Sequence, residues 1–272
     1  MAMLPSCLPD FENPPLVEVV FGAQFQELRE FKAPHTGMLW ERLGRAEYPV
    51  CEEKPPLTHV NETFDNPAVQ LADFPLVERI DHPPLPRIFF VNEVRNHLVQ
   101  VQRDRFLQNW RKVNPDDNYP RYSELFPGFQ KSWETFVKFV KEHKIGDLLP
   151  DQYELTYLNH IVRGKGWDNV SDISKVFPQF QRDSEESVLP QPESIAWRRV
   201  YRLPGNKGRL YVSMRQGIIK SAEEPILVVE LTARGFDDVM RNWFDMAHEW
   251  IVNAFVGVTA RDVQETVWKR RK

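Results

Sequence analysis

The segment Leu98–Lys112, with the sequence LVQVQRDRFLQNWRK, alternates with the period of a β-strand but carries polar groups on both faces. One face would hold Val99, Val101, Arg103, Arg105, Leu107 and Asn109, and the other Gln100, Gln102, Asp104, Phe106, Gln108 and Trp110. Because an antiparallel sheet needs only one polar face, the pattern predicts a buried or cleft-lining polar surface beside this strand.

Two interpretations of this segment stay open. In the first, a long surface strand buries Val99 and Val101 in its first half and twists to bury Phe106 and Trp110 in its second half, and its Gln and Arg side chains are solvated. In the second, a concavity collects amide and guanidinium groups beside an aromatic wall, where they recognise a ligand or a partner chain. The second interpretation selects Gln102, Asp104, Arg105, Asn109 and Trp110.

Composition and charge limit the class of protein. The 272 residues are 42% hydrophobic and 12% aromatic, which is ample for a buried core. A net charge of -4 disfavours nucleic acid as the main partner. Two cysteines exclude a disulfide scaffold and a Cys-rich metal site. The sequence has no secretion signal and no run of eighteen apolar residues, so we expect a soluble, cytoplasmic protein that does not bind membranes.

Hydrophobic periodicity and turn residues predict the remaining elements. The predicted strands are Leu16–Phe25, Arg87–Asn92, Gln152–Ile161, Ser194–Leu203, Arg209–Ile219 and Pro225–Ala233. The predicted helices are Thr36–Leu43, Phe129–Val140 with Gly146 as its end, Val170–Phe177, Asp237–Gly257 with Asp237 as its cap, and Thr259–Trp268 with Thr259 and Asp262 as its capping box. Loops and edge strands are expected in the proline-rich residues 48–86, and a polar loop over residues 181–193.

This order of elements predicts an α+β fold with a mainly antiparallel sheet. Residues 1–272 are expected to form a single compact unit made of two loosely repeated halves, 11–147 and 150–272. Each half would run strand, helix, strands, long helix. The two long amphipathic helices would pack on one face of the sheet, and the other face would form a concave saddle.

No catalytic motif is present in the sequence. It lacks a phosphate-binding glycine loop, a Gly-x-Ser-x-Gly elbow and paired histidines at metal-ligand spacing, so we predict no cofactor, metal or catalytic residue. His248 shares a helix with Asp245 and Glu249 and is interpreted as a solvated histidine in an acidic patch.

Polar residues also occur late in the predicted strand Gln152–Ile161. Tyr157 and Asn159 share one face of it, and a buried Asn159 needs a hydrogen-bond partner or a solvent-filled cleft. Asn109, Arg111 and Asn159 are therefore candidates for one shared network. That network would be either a binding site or a latch between the two halves.

Three segments carry a family resemblance: FENPPLVEVVFG at Phe11–Gly22, LVQVQRDRFLQNWR at Leu98–Arg111 and ELTYLNHI at Glu154–Ile161. Together they resemble a sporadically distributed family of uncharacterised bacterial proteins, and the resemblance covers the whole chain. It implies a bacterial, soluble, single-unit protein and nothing about reaction type. A sporadic distribution would suit an accessory or mobile-element role, for example in defence.

The leading hypothesis is a non-enzymatic binding module for a small molecule or a protein partner. Its predicted ligand-binding residues are Gln102, Asp104, Arg105, Asn109, Trp110, Arg111, Tyr157 and Asn159. The alternative is a hydrolase-like enzyme with a dispersed acid/base site built from Asp104, His160 or His248 and an arginine. A third hypothesis, nucleic-acid binding, requires Arg103, Arg105, Arg111 and Trp110 on one exposed basic surface.

Overall fold

A computed structural model describes residues 8–59, 62, 85–180, 190, 192–219 and 222–271. Helices and strands are mixed along this part of the chain. Its nine strands are β1 Leu16–Phe25, β2 Val50–Lys54, β3 Arg87–Val91, β4 His97–Gln102, β5 Arg105–Arg111, β6 Pro150–Val162, β7 Trp197–Arg202, β8 Gly208–Ile219 and β9 Glu224–Gly235. Its five α-helices are α1 Ala33–Leu43, α2 Arg121–Glu142, α3 Ile173–Val176, α4 Met240–Val258 and α5 Arg261–Thr266.

All the strands belong to one antiparallel sheet in the order β2-β3-β4-β5-β1-β6-β9-β8-β7. The central pair is β1 with β6, in which Phe21 lies opposite Leu155. Strands from the first part of the chain lie on one side of this pair, and strands from the second part lie on the other. The sheet is thus continuous across both parts of the chain.

The prediction of one long strand over Leu98–Lys112 is wrong, because the chain reverses at Arg103 and Asp104. Strand β4 ends at Gln102, β5 begins at Arg105, and these two residues pair directly across a two-residue turn. The turn shifts the alternation, so odd-numbered residues point one way in β4 and the other way in β5. This shift explains why the segment, written as one strand, has polar residues on both faces.

The two faces of the sheet carry different kinds of side chain. Phe21 of β1 has its ring centroid 5.5 Å from that of Phe129 in α2 and 5.7 Å from that of Phe244 in α4, so both long helices lie on one side. We call this side the helix face, and it carries the aromatic core. We call the opposite side the polar face, which carries buried polar residues at Gln24, Gln100, Gln102, Arg105, Asn109, Gln152, Arg209 and Thr232.

The long helices differ from their predicted bounds. Helix α2 begins at Arg121 and continues through Pro127, which a rule that ends helices before proline does not anticipate. It ends at Glu142, before Gly146. Helix α4 begins at Met240, and Asp237, the predicted cap, instead accepts a hydrogen bond from the nearby backbone N–H of Val239.

Thr259 does not cap the last helix as predicted. Its hydroxyl donates to the carbonyl of Phe255 at 2.7 Å, which closes the end of α4, and α5 begins two residues later at Arg261. The helix reaches only Thr266, so the predicted end at Trp268 is also wrong.

Much of the predicted loops at 48–86 and 181–193 lies outside the described residues. No helix in the described ranges combines the length and apolar character that crossing a membrane requires.

Candidate functional site

The eight predicted binding residues are divided between the two faces of the sheet. Trp110 lies opposite Val19, which in turn lies opposite Tyr157, so both aromatic residues are on the helix face. Asn159 is on this face as well and lines the same cavity as Tyr157. Asp104 lies in the β4–β5 turn. The polar face carries Gln102, Arg105, Asn109 and Arg111.

The proposed network of Asn109, Arg111 and Asn159 does not form. Asn109 donates to the Glu18 carboxylate at 2.7 Å, Arg111 donates to the carbonyl of Arg95, and Asn159 donates to the carbonyl of Val229 at 3.3 Å. The turn at Arg103 and Asp104 sets Asn109 on the polar face, whereas Asn159 faces the helices. The sheet itself therefore separates them.

The helix face carries a cavity of about 380 Å³. It lies between the N-terminal segment, the first turn of α2, helix α4 and strands β1, β6 and β9. Its size is in the range of pockets that take small organic ligands. The lining residues are Leu8, Pro9, Asp10, Phe11, Pro14, Leu16, Tyr119, Arg121, Tyr122, Ser123, Tyr157, Asn159, Leu231, His248, Ile251, Val252 and Phe255.

A chain of hydrogen bonds runs through the wall of this cavity. The hydroxyl of Tyr157 lies 2.9 Å from the hydroxyl of Tyr119 and 2.9 Å from Nδ1 of His248. In each of these two hydrogen bonds, either of the two groups can be the donor. With Tyr157 donating to His248, the imidazole carries its proton on Nε2 and can donate to a ligand; in the reverse arrangement the hydroxyl of Tyr119 is the free donor. The chain can therefore meet either a donor or an acceptor.

His248 is held by an aromatic stack as well as by Tyr157. Its ring lies 4.2 Å from the Tyr122 ring with an interplanar angle of 3°, and the Tyr122 hydroxyl donates to Asp245 at 2.7 Å. Burial lowers the pKa of His248 to about 4, against a smaller opposing effect of Asp245. The imidazole is thus neutral at pH 7, and its interpretation as a solvated histidine is wrong.

Burial also keeps the two other hydroxyls of the chain protonated. It raises the pKa of Tyr119 to about 12 and that of Tyr157 well above its ordinary value. The three hydrogen-bonding groups are consequently all uncharged at neutral pH. Uncharged hydrogen-bonding groups in a mostly apolar cavity favour an uncharged ligand group at this end.

An ion pair anchors the N-terminal segment that closes one side of the cavity. Arg121 donates to the Asp10 carboxylate at 2.6 Å and to the carbonyl of Phe11 at 3.1 Å. The Phe11 ring packs edge-on against Phe255 and Trp268. The wall therefore depends on contacts between the two ends of the described chain.

A different arrangement crosses the polar face. Residues 55–59 together with Glu62, here called the strap, run over a row of side chains from neighbouring strands. Leu57 and Gln102 exchange two hydrogen bonds, in which the Leu57 N–H donates to Oε1 at 2.9 Å and Nε2 donates to the Leu57 carbonyl at 3.0 Å. Arg105 donates to the carbonyl of Thr58 at 3.1 Å. The Glu62 N–H donates to Oε1 of Gln152 at 3.0 Å.

The side chains of His59 and Glu62 on the strap also contact groups on the same face. His59 Nδ1 lies 2.9 Å from the Asp104 carboxylate, and its Nε2 lies 3.5 Å from that of Asp151. Glu62 accepts hydrogen bonds from Arg209 at 2.6 Å and from the Tyr211 hydroxyl. The side chains of Glu62 and Arg209 are only 6% and 8% exposed, so this ion pair is buried.

The groups named for the alternative functions are separated. His160 is on the polar face, whereas His248 is on the helix face, and Asp104 contacts His59 instead of either. Trp110 is buried on the helix face, away from Arg105 and Arg111, so the arginines and this tryptophan do not form one exposed surface. In the described ranges, no group of three or more His, Cys, Asp or Glu side chains is placed to hold a metal ion.

Of the hydrogen-bonding and stacking groups of the cavity, Tyr119 and Tyr122 were not predicted, and His248 was named only for the alternative acid/base site. A signal for His248 was present, because it lies four residues after Phe244 and three before Ile251 on the apolar stripe of α4. Tyr122 is in the first turn of α2 and Tyr119 lies two residues before that helix, and both precede its predicted start at Phe129. No family model, curated protein or solved structure matches this chain.

Proposed function

We propose that this protein is a non-enzymatic binding module that holds a small, mostly apolar molecule in the helix-face cavity. The observation that carries the proposal is the Tyr157 hydroxyl, which joins Tyr119 and His248 in the wall of a cavity of about 380 Å³. Ligand sites combine such an apolar lining with a few placed polar groups. The expected ligand has an apolar body and one neutral hydrogen-bonding group.

Asn159 supplies a further polar contact for such a ligand. Its Nδ2 donates to the Val229 carbonyl, whereas its Oδ1 accepts no hydrogen bond from the described residues. An acceptor in the cavity lining suits a ligand hydroxyl or amide. Leu231, Ile251 and Phe255 provide the apolar surface around it.

The depressed pKa of His248 favours binding over catalysis. A general base works best when its pKa lies near the working pH, and a value of about 4 makes this imidazole a weak base at pH 7. No carboxylate in the described ranges hydrogen-bonds to His248 to raise that value. Its role in this proposal is to donate or accept a hydrogen bond without transferring a proton.

A calorimetric titration with 2-naphthol tests the proposal, since this molecule has an apolar body and a single hydroxyl. We expect a 1:1 complex with a Kd of about 10 to 100 µM, the range that efficient ligands of this size reach. The V252F variant should weaken binding at least tenfold, because Val252 lines the cavity and the larger ring would fill it. V94F is the matched control, because Val94 is 57% exposed in the β3–β4 turn.

Two outcomes would contradict the proposal. One is the absence of heat exchange with wild-type protein at millimolar 2-naphthol. The other is binding that V252F and V94F leave equally unchanged, which would move the ligand to another surface.

A hydrolase-like enzyme is the second candidate function, and the contact of His59 with Asp104 and Asp151 favours it. A histidine between two carboxylates can act as a general base when one of them orients the ring. Hydrolysis of p-nitrophenyl acetate by wild-type protein, lost in H59Q and kept in H35Q, would support this function. Equal rates in all three proteins would rule His59 out as the base.

The proposal includes two further expectations, an internal duplication of the chain and a cytoplasmic location. The strand order β3-β4-β5-β1 on one side and β7-β8-β9-β6 on the other supports a duplication in which β1 corresponds to β6 and α2 to α4. A cytoplasmic location is supported by the low cysteine content. Neither feature is needed for ligand binding in the cavity.

A further inference from the structure

We propose that the polar face is a docking surface for an extended, acidic peptide of a partner protein, bound where the strap lies. The surface is the row Gln102, Arg105, Gln24 and Gln152, together with Arg209 and Tyr211. This is a second site, separated from the helix-face cavity by the sheet.

The four side chains of the row lie along a line that runs across the strands, and a bound peptide would follow this line. Gln102, Arg105, Gln24 and Gln152 lie directly opposite one another on β4, β5, β1 and β6. Their side chains contact the strap in the same order, with Gln102 at Leu57, Arg105 at Thr58, Gln24 at His59 and Gln152 at Glu62. The three intervals between these four strands span about 14 Å, and the five intervals from Leu57 to Glu62 can span about 17 Å, so this length of chain can cross the row.

These side chains recognise main-chain groups of the strap. Gln102 bonds both the N–H and the carbonyl of Leu57, Arg105 bonds the carbonyl of Thr58, and Gln152 bonds the N–H of Glu62. Main-chain groups are common to all peptides, so this recognition does not require the sequence of the strap. An extended segment from another protein presents the same donors and acceptors.

The selectivity for an acidic residue comes from two side chains beyond the Gln152 end of the row. Arg209 and the Tyr211 hydroxyl both donate to the Glu62 carboxylate. Because this position is buried, a charged carboxylate there matches the guanidinium, and a neutral side chain would lose this ion pair. The surface therefore fits a peptide with Asp or Glu five positions after its first anchored residue.

The strap does not satisfy the surface completely. Nε of Arg105 and Oδ1 of Asp151 are buried without a hydrogen-bond partner among the described residues. A small void of about 10 Å³ also remains between Gly22, Gln24, Arg105 and Glu154. Residues 55–59 are themselves exposed, so polar contacts and little apolar burial hold them. A peptide with better-placed groups can replace such a segment.

The test uses a fluorescein-labelled peptide with the sequence of residues 55–62, PPLTHVNE, amidated at its C-terminus. Glutamate then carries the only carboxylate of the peptide chain, and the carboxylate of the dye is the same in every peptide compared. Fluorescence anisotropy measures its binding to the wild-type protein and to the double variant H59A/E62A, which weakens the strap and leaves the row intact. We expect the variant to bind the peptide at least tenfold more tightly than the wild type, whose own strap competes. A peptide ending in glutamine should bind the variant at least tenfold more weakly.

Absence of binding to a folded double variant would overturn the proposal, and so would equal binding of the two peptides. If the double variant fails to fold, hydrogen exchange at the Leu57 N–H of the wild type replaces it: millimolar peptide should accelerate this exchange, and an unchanged rate would overturn the proposal. V252F should bind the peptide as the wild type does. This last control separates the docking surface from the cavity.

Discussion

The Tyr157 hydroxyl and Nδ1 of His248 lie 2.9 Å apart, so strand β6 and helix α4 are joined by a hydrogen bond inside the cavity. Tyr119, just before α2, extends this connection on the other side of Tyr157. Three elements that are distant in sequence thus meet at one hydroxyl. Its removal should affect both the stability of the fold and the binding of a ligand.

The Y157F variant tests the structural part of this role. Removing the hydroxyl leaves His248 and Tyr119 without their common partner, and we expect the free energy of unfolding to fall by about 1 to 3 kcal/mol. Urea denaturation provides the measurement. Y153F is the matched control, because Tyr153 is a buried tyrosine on the same strand and face whose hydroxyl has no hydrogen bond to the described residues. Equal losses in both variants would show that the hydrogen-bond chain has no particular role.

The pH dependence of stability should report the state of His248. Its pKa of about 4 lies below that of the unfolded chain, so the folded protein binds fewer protons between these values. The stabilisation is complete above pH 6.5 and is lost as the pH falls towards 4, by up to about 3 kcal/mol. The measurement is the difference in unfolding free energy between the wild type and H248Q.

We expect this difference to shrink as the pH falls from 7 to 4. His97 and His160, whose pKa values burial also lowers, are present in both proteins and cancel in the comparison. A difference that stays constant over this range would mean that His248 titrates normally in the folded protein.

Glu18 on the polar face should give a pH dependence of stability opposite to that of His248. Burial raises its pKa, although the hydrogen bond from Asn109 and the charge of Arg111 act against this shift. The folded protein therefore binds more protons than the unfolded chain, and the carboxylate costs stability as the pH rises above 4.5. E18Q removes the charge and keeps an acceptor for Asn109, so we expect Tm to rise by roughly 2 °C at pH 7.

The comparison with pH 4 provides the control for E18Q, since the wild-type carboxyl is protonated there. The gain in Tm should be smaller at pH 4 than at pH 7. A loss of Tm at pH 7 would show that the charge of Glu18 stabilises the fold through Asn109 or Arg111.

The sheet was predictable because its strands have strong local patterns. β1, β3 and β6 follow runs of β-branched and aromatic residues close to their predicted bounds. The β4–β5 turn was not predictable from such patterns, since Arg103 and Asp104 lack the Asn-Gly or Gly residues typical of a two-residue turn. Overlooking it shifted the alternation of every residue after Gln102.

The candidate site was harder to predict than the fold. Polar residues at Gln102, Arg105 and Asn109 pointed to a polar surface, but their partners on the strap and on β1 are distant in sequence. Tyr119 and His248 become neighbours only when α2 and α4 pack side by side on the sheet. A pattern within one segment carries no information about contacts of this kind.

Ligand binding at His248 is tested most directly by the NMR resonance of its imidazole, assigned with H248Q, during a titration with 2-naphthol at pH 7. We predict that this resonance shifts in a saturable manner, with the Kd measured by calorimetry, and that the resonance of His59 on the other face stays unchanged. An unchanged His248 resonance at saturating 2-naphthol would contradict the assignment of the cavity as the binding site.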